Sequence, residues 1–86
     1  MIFSLKQFIV QGHSMQPTLK EGERIFTYKT FFTKPKVGDV VAARINDKVF
    51  IKRITEIKGK QFFLQGDNKE DSLDSRSLGS VKKESI

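Results

Sequence analysis

Apolar residues in this chain come in short runs, and a turn-forming cluster closes each run. That punctuation constrains the fold more than any other feature. The runs reach strand length and then stop, and helical periodicity is weak throughout. Phe8-Ile9-Val10 leads into Gly12, and the broken apolar stretch before it ends in a strand. Lys20-Glu21-Gly22-Glu23 is a turn, followed by the strand Arg24-Ile25-Phe26-Thr27-Tyr28. Residues 29–36 read as a loop, with Pro35 near its end. Val37-Gly38-Asp39 opens the strand Val40-Val41-Ala42-Ala43-Arg44-Ile45. Asn46-Asp47 makes a hairpin connection to the longest strand candidate, residues 48–57. Lys58-Gly59-Lys60 turns that strand into Gln61-Phe62-Phe63-Leu64-Gln65. Residues 66–79 are polar and turn-rich, and the tail carries a short strand around Val81 before fraying. The one place for a helical turn is residues 17–20. An all-β fold in one domain, residues 1–86, is the expectation.

Composition removes several chemistries. With no cysteine there is neither a disulfide nor a thiolate, and one histidine cannot supply a structural zinc site. Eight Phe and no Trp point to a core dominated by Phe. The net charge of +6 favours acidic partners or an anionic surface in a non-specific way. Its cations are scattered from Lys6 to Lys83, as on a solvated surface. No nucleic-acid face is expected, even with Phe31 and Phe62 available to stack on bases. No stretch approaches the roughly 20 apolar residues of a membrane span. Residues 1–10 also lack the basic start and cleavage site of a secretory signal. A cytoplasmic or peripheral membrane location is expected, with residues 1–10 and Phe31-Phe32 as the apolar contacts a lipid surface would meet.

Three residues carry candidate chemistry. Ser14 sits in Gly12-His13-Ser14-Met15-Gln16-Pro17-Thr18-Leu19, a Gly/Pro-framed turn. A serine hydroxyl is a weak nucleophile until a base takes its proton. The only histidine, His13, is adjacent, and neighbours in an extended segment point to opposite sides. His13 is therefore read as a turn or rim residue. Lysine serves as the base if it is desolvated, because burial disfavours its charged form. In residues 48–57, alternation puts Phe50, Lys52 and Ile54 on one face and Val49, Ile51, Arg53 and Thr55 on the other. Lys52 thus lies between apolar side chains, while Arg53 points away. Taken singly, Lys52 also fits an exposed edge-strand lysine, and Ser14 a plain turn or N-cap.

A third constellation is Gly66-Asp67-Asn68-Lys69-Glu70-Asp71-Ser72-Leu73-Asp74-Ser75-Arg76-Ser77-Leu78-Gly79. In an extended segment Ser72, Asp74 and Arg76 share a face, which lets Asp74 and Arg76 pair. A flexible polar loop fits the same composition.

Taken together, these segments resemble the type I signal peptidase family of serine proteases. The nucleophile segment of that family looks like Ser14-Met15-Gln16-Pro17-Thr18-Leu19, and the next resembles Val37-Gly38-Asp39-Val40-Val41. Its general-base segment is matched by Lys52-Arg53-Ile54, and its last by Gly66 through Arg76, in the same order. The resemblance covers residues 10–79. It implies a fold of coiled antiparallel β-sheets with a partly barrel-like core, and a serine endopeptidase that needs no metal or cofactor. It implies Ser14 as nucleophile, Lys52 as general base and Ser72 as the residue that orients Lys52. Asp74 and Arg76 would form a supporting salt bridge, and Asp67 would sit in a structural turn. The implied partner is a precursor protein or leader peptide with small residues before the scissile bond, bound by strand addition.

The sequence departs from that family in three ways. Gly12 stands where many members carry a hydroxyl that donates to the oxyanion, leaving more of that work to the Ser14 backbone N–H. No membrane-anchoring helix is read in the chain. The stretch from Thr55 to Gln65 is a hairpin, with no room for the large insertion other members carry there. The compact form and the Gly12-His13-Ser14-Met15 wording resemble the nickel-type superoxide dismutase maturation proteases. Two other readings stand beside the protease. One is an inactive peptide-binding or regulatory module of the same fold. The other is a basic nucleic-acid binder, which leaves the ordered segments unexplained.

Overall fold

In the computed structural model, residues 3–30, 34–68 and 80–86 are described. They form two antiparallel sheets, the larger curled into half a barrel. Strands β1 (Phe3–Ile9) and β2 (Arg24–Thr30) make a two-stranded ribbon. Strands β3 (Val40–Ile45), β4 (Lys48–Lys58), β5 (Gln61–Gln65) and β6 (Ser80–Lys82) follow one another in the four-stranded sheet. The coiled antiparallel architecture expected from the punctuated sequence is therefore present.

Turn chemistry sets the register. Asn46 and Asp47 both adopt left-handed backbone, with φ of 51° and 67°. That geometry matches the twist of a tight hairpin and pairs Ile45 with Lys48. Gly59, at φ 58°, does the same between β4 and β5. A register shift between Ile54 and Glu56 lets β4 bend as it passes from one neighbour to the next.

One face of the large sheet carries the core: Ala43, Ile54, Phe62, Leu64 and Val81 are buried together. Phe62 belongs to it, but aliphatic residues outnumber it among the described residues, where composition suggests a core dominated by Phe. Phe26 instead lies on the outer face of the ribbon with Leu5, Ile9 and Tyr28, all exposed. The cross-strand pairing of Leu5 with Tyr28 places these side chains on one surface.

Two local readings shift. The helical turn starts at Met15 rather than Pro17: the Leu19 N–H donates to the Met15 carbonyl at 2.8 Å. The buried Met15 side chain anchors that turn. The tail does not fray within the described residues. It closes in a 3₁₀ turn, Lys83–Ser85, and Ile86 packs against the core. No helix among the described residues is long and apolar enough to cross a membrane.

Ile54 is fully buried, so Ile54→Ala is expected to destabilise the domain by about 2–5 kcal/mol in chemical denaturation. Leu5→Ser, on the exposed ribbon face, should change stability by no more than about 0.5 kcal/mol.

Candidate active site

The turn bearing Ser14 hangs from the end of the β1–β2 ribbon. The Val10 N–H donates to the Glu23 carbonyl at 2.9 Å, and Gly22 N–H to the Val10 carbonyl at 2.8 Å, extending the pairing past Ile9. Gly12 then takes a left-handed φ of 78°, and its N–H donates to Glu21 Oε2 at 3.1 Å. A residue with a Cβ adopts that backbone only under strain, so glycine suits the point where the chain must reverse. His13 lies on the rim, its side chain 60% exposed and its Nε2 3.3 Å from Glu21 Oε1. Ser14 is half-buried just beyond it.

Lys52 comes from the middle of β4 and is only 2% exposed. Its register partner is Val41, and Ile54 on the same face is fully buried. The exposed edge-lysine reading therefore fails, and of the two readings the strand pattern allowed, the buried one holds. Ser14 and Lys52 line one open groove of about 570 Å³, with residues 8–15 along one side and 48–52 along the other. Pairing explains why the groove is there. Strand β5 pairs with β4 only from Arg53 to Lys58. Among the described residues, β4 residues 48–52 are laddered only to β3.

The side chain that binds the surrounding segments together is Arg53. Its Nε and Nη2 donate to the two carboxylate oxygens of Asp67, both at 2.8 Å, and its Nη1 donates to the Gly38 carbonyl at 2.6 Å. Thr18 Oγ1 donates to the same Asp67 carboxylate. A bidentate guanidinium–carboxylate pair fixes direction as well as distance. Beside it, the Gly38 N–H donates to the Ile54 carbonyl and the Ile54 N–H to the Asp39 carbonyl, both at 2.8 Å. The hydrogen bonds from Arg53 and Thr18 hold the Asp67 carboxyl below its ordinary pKa.

The residues flanking Asp67 clamp the serine turn. The Asn68 N–H donates to the Ser14 carbonyl at 2.8 Å, and its Nδ2 donates to the His13 carbonyl at 2.9 Å. Gly66 lies so close that a Cβ on it would come within 2.5 Å of the Ser14 carbonyl oxygen. Thr18, Arg53, Gly66 and Asn68 were not singled out as site residues in the sequence. The available signal was that each belongs to one of the ordered segments. Asp67 lies at a bend just beyond β5 and anchors Arg53. Ser72, Asp74 and Arg76 lie outside the described residues.

The family model described as Peptidase S24-like matches residues 4–82. A protein named signal peptidase I from Bacillus licheniformis is 35% identical over 69 residues, which is 76% of this chain and 37% of the relative. One named signal peptidase I P from Bacillus subtilis subsp. natto is 36% identical over 72 residues, 77% of this chain and 38% of the relative. A second protein of that name is 28% identical over 95 residues, 98% of this chain and 51% of the relative. The chain thus spans between about a third and a half of the length of the curated relatives it matches. No solved structure gives a significant match.

Two measurements check the scaffold. Because the folded pKa of Asp67 lies below 3.8, its ion pair stabilises fully above that value and is lost as pH falls through the lower, folded pKa. Asp67→Asn should lower stability at neutral pH by about 1–3 kcal/mol and remove that acid-side loss from a stability–pH profile. Gly66→Ala should cost about 1–3 kcal/mol in a thermal melt, because the serine turn must move aside.

Proposed function

The chain belongs to the Peptidase S24-like family, and on that premise we propose that it is a serine endopeptidase working through a Ser14/Lys52 dyad. The observation that carries this reading is the shared groove: a turn serine and a lysine 2% exposed line the same cleft. A buried amine is disfavoured as a cation, so Lys52 is suited to take a proton.

The substrate is an extended peptide. The side of β4 over residues 48–51, which has no ladder partner there among the described residues, offers N–H and C=O groups for strand addition. Apolar side chains of Phe8, Val10, Met15, Val49 and Phe50 line the cleft and favour small or apolar residues in the bound strand. In the reaction, Lys52 Nζ accepts the Ser14 Oγ proton as Oγ attacks the peptide carbonyl carbon. The Ser14 backbone N–H contributes to stabilising the oxyanion, with Gly12 offering no side-chain donor. The C–N bond breaks as the Lys52 ammonium passes its proton to the leaving amine. A water then gives its proton to Lys52 as its oxygen attacks the acyl carbon, and Lys52 returns that proton to Ser14 Oγ as the ester bond breaks, freeing both residues. By likeness to the signal peptidases, Ser72 would orient Lys52, and Asp74 and Arg76 would form a supporting pair.

The physiological substrate in this reading is a precursor protein with a short leader. The Gly12-His13-Ser14-Met15 wording favours a nickel-type superoxide dismutase precursor, by its likeness to the maturation proteases of that enzyme.

Cleavage of synthetic peptides spanning such a leader junction, compared with a secretory signal peptide, tests both levels. Ser14→Ala and Lys52→Met should each lower the cleavage rate by at least about 10²-fold. Undiminished cleavage by either variant excludes the dyad. Cleavage of the secretory peptide alone would keep the dyad and reassign the substrate. An inert protein of native fold would point to the peptide-binding module.

A further inference from the structure

A second groove, of about 490 Å³, lies between the ribbon and the large sheet. Phe26, Thr27, Tyr28 and Lys29 of β2 line one side of it. Successive strand residues point to opposite faces, so four in a row can line a groove only where the strand presents its edge. Val40, Val41 and Ala42 line the other side in the same manner. Among the described residues, β2 pairs only with β1 and β3 only with β4. The groove therefore runs between two strand edges that have no strand partner among the described residues, with Lys6 and Phe8 of β1 and Val49 of β4 also lining it. Its length along β2, four residues at about 3.3 Å each, is about 13 Å, the span of a four-residue extended segment.

Charge restricts the occupant. Lys6, Lys29, Arg44 and Lys83 stand at the slot against Asp39 and Glu84, an excess of two positive charges, with Lys29 Nζ donating to the Ile86 carbonyl at 2.9 Å. The Asp39 carboxylate is already engaged by the Lys36 N–H at 2.9 Å. Charged side chains along open strand edges normally prevent unwanted strand addition. Here they are predominantly of one sign, so they repel a second copy of a chain whose net charge is +6 and attract a strand of the opposite sign. Phe8, Val49 and Ile86 provide an apolar lining for alternate side chains. Neither a lipid headgroup nor a nucleic acid supplies the alternating backbone donors and acceptors that two strand edges present.

We propose that this slot binds an extended acidic segment of a partner protein, inserted as a strand between β2 and β3 with apolar side chains inward and carboxylates on Lys6, Arg44 and Lys83. The slot is distinct from the Ser14/Lys52 groove, although Phe8 and Val49 border both. The inference does not depend on Ser14 acting as a nucleophile.

The test uses the full chain, ¹⁵N-labelled, titrated with a capped hexapeptide of alternating Glu and Val. The expected result is saturable amide shifts centred on residues 26–29 and 40–44. The corresponding Lys/Val peptide, and a Glu peptide with Pro at alternate positions, should bind at least about tenfold more weakly. Arg44→Glu together with Lys83→Glu, both exposed positions, should weaken the Glu/Val peptide about tenfold or more without changing the circular dichroism. Raising the salt concentration should weaken binding in wild type. Equal binding of the Glu and Lys peptides, or shifts confined to residues 8–15 and 48–52, would overturn the proposal. So would sedimentation of the chain alone as a dimer that the peptide does not dissociate, since a second copy would then hold the slot.

Discussion

The rest of the site depends on the fork of hydrogen bonds from Arg53. A strand, a turn, a loop and a second turn meet there, and no ladder of backbone bonds joins them all. Arg53 is on β4, Gly38 in the approach to β3, Thr18 in the turn after Ser14, and Asp67 just beyond β5. A guanidinium presents its donors in one rigid plane, so a single side chain fixes the relative placement of a carboxylate and a carbonyl. Lysine would keep the charge and lose the fork. The pair is partly exposed, with 33% of the Arg53 and 17% of the Asp67 side chain accessible. Its value therefore lies more in geometry than in net stability, as water screens part of its attraction.

From that junction, order passes in two directions. Along β4 it reaches Lys52 directly, because Arg53 and Lys52 are neighbours on opposite faces of one strand. Pulling Arg53 toward Asp67 on one face sets the backbone that aims Lys52 into the other. Through Asp67 it reaches Ser14, since Gly66 and Asn68 flank the carboxylate and hold the serine turn by contact and by hydrogen bonds. The two residues of the proposed dyad, 38 positions apart in the chain, thus share one mechanical support. A small sheet with a modest aliphatic core gains positional accuracy this way without the extra layers of a larger domain.

Much of this was legible in the sequence. Period-two alternation from Phe50 to Ile54 sets Lys52 between apolar neighbours, and the structure buries it where an exposed edge position fitted the same pattern. Asn46-Asp47 predicts its hairpin because few residue types accept two left-handed positions in succession. What sequence reasoning missed followed from its local character. Alternation correctly turned Arg53 away from Lys52, but nothing in a single strand says what waits on the far face. Asn68 and Gly66 act through contacts more than fifty residues distant, on carbonyls that any residue would supply. Among the described residues the Phe-rich composition is a poor guide for a related reason: composition counts apolar residues without saying which face of a ribbon they occupy, and Phe26 lies exposed.

The central proposal is chemical: that Lys52, buried in the same groove, makes Ser14 reactive by removing its proton. Covalent labelling by a fluorophosphonate, followed by mass spectrometry across a pH series, measures that reactivity without any assumption about the natural substrate. The account predicts a single adduct on Ser14, rising with pH, and at least about 10²-fold slower in Lys52→Met at every pH where that variant is folded. Labelling of Ser14 at the same rate in wild type and Lys52→Met, or adducts spread over exposed serines with Ser14 unmodified, would contradict it.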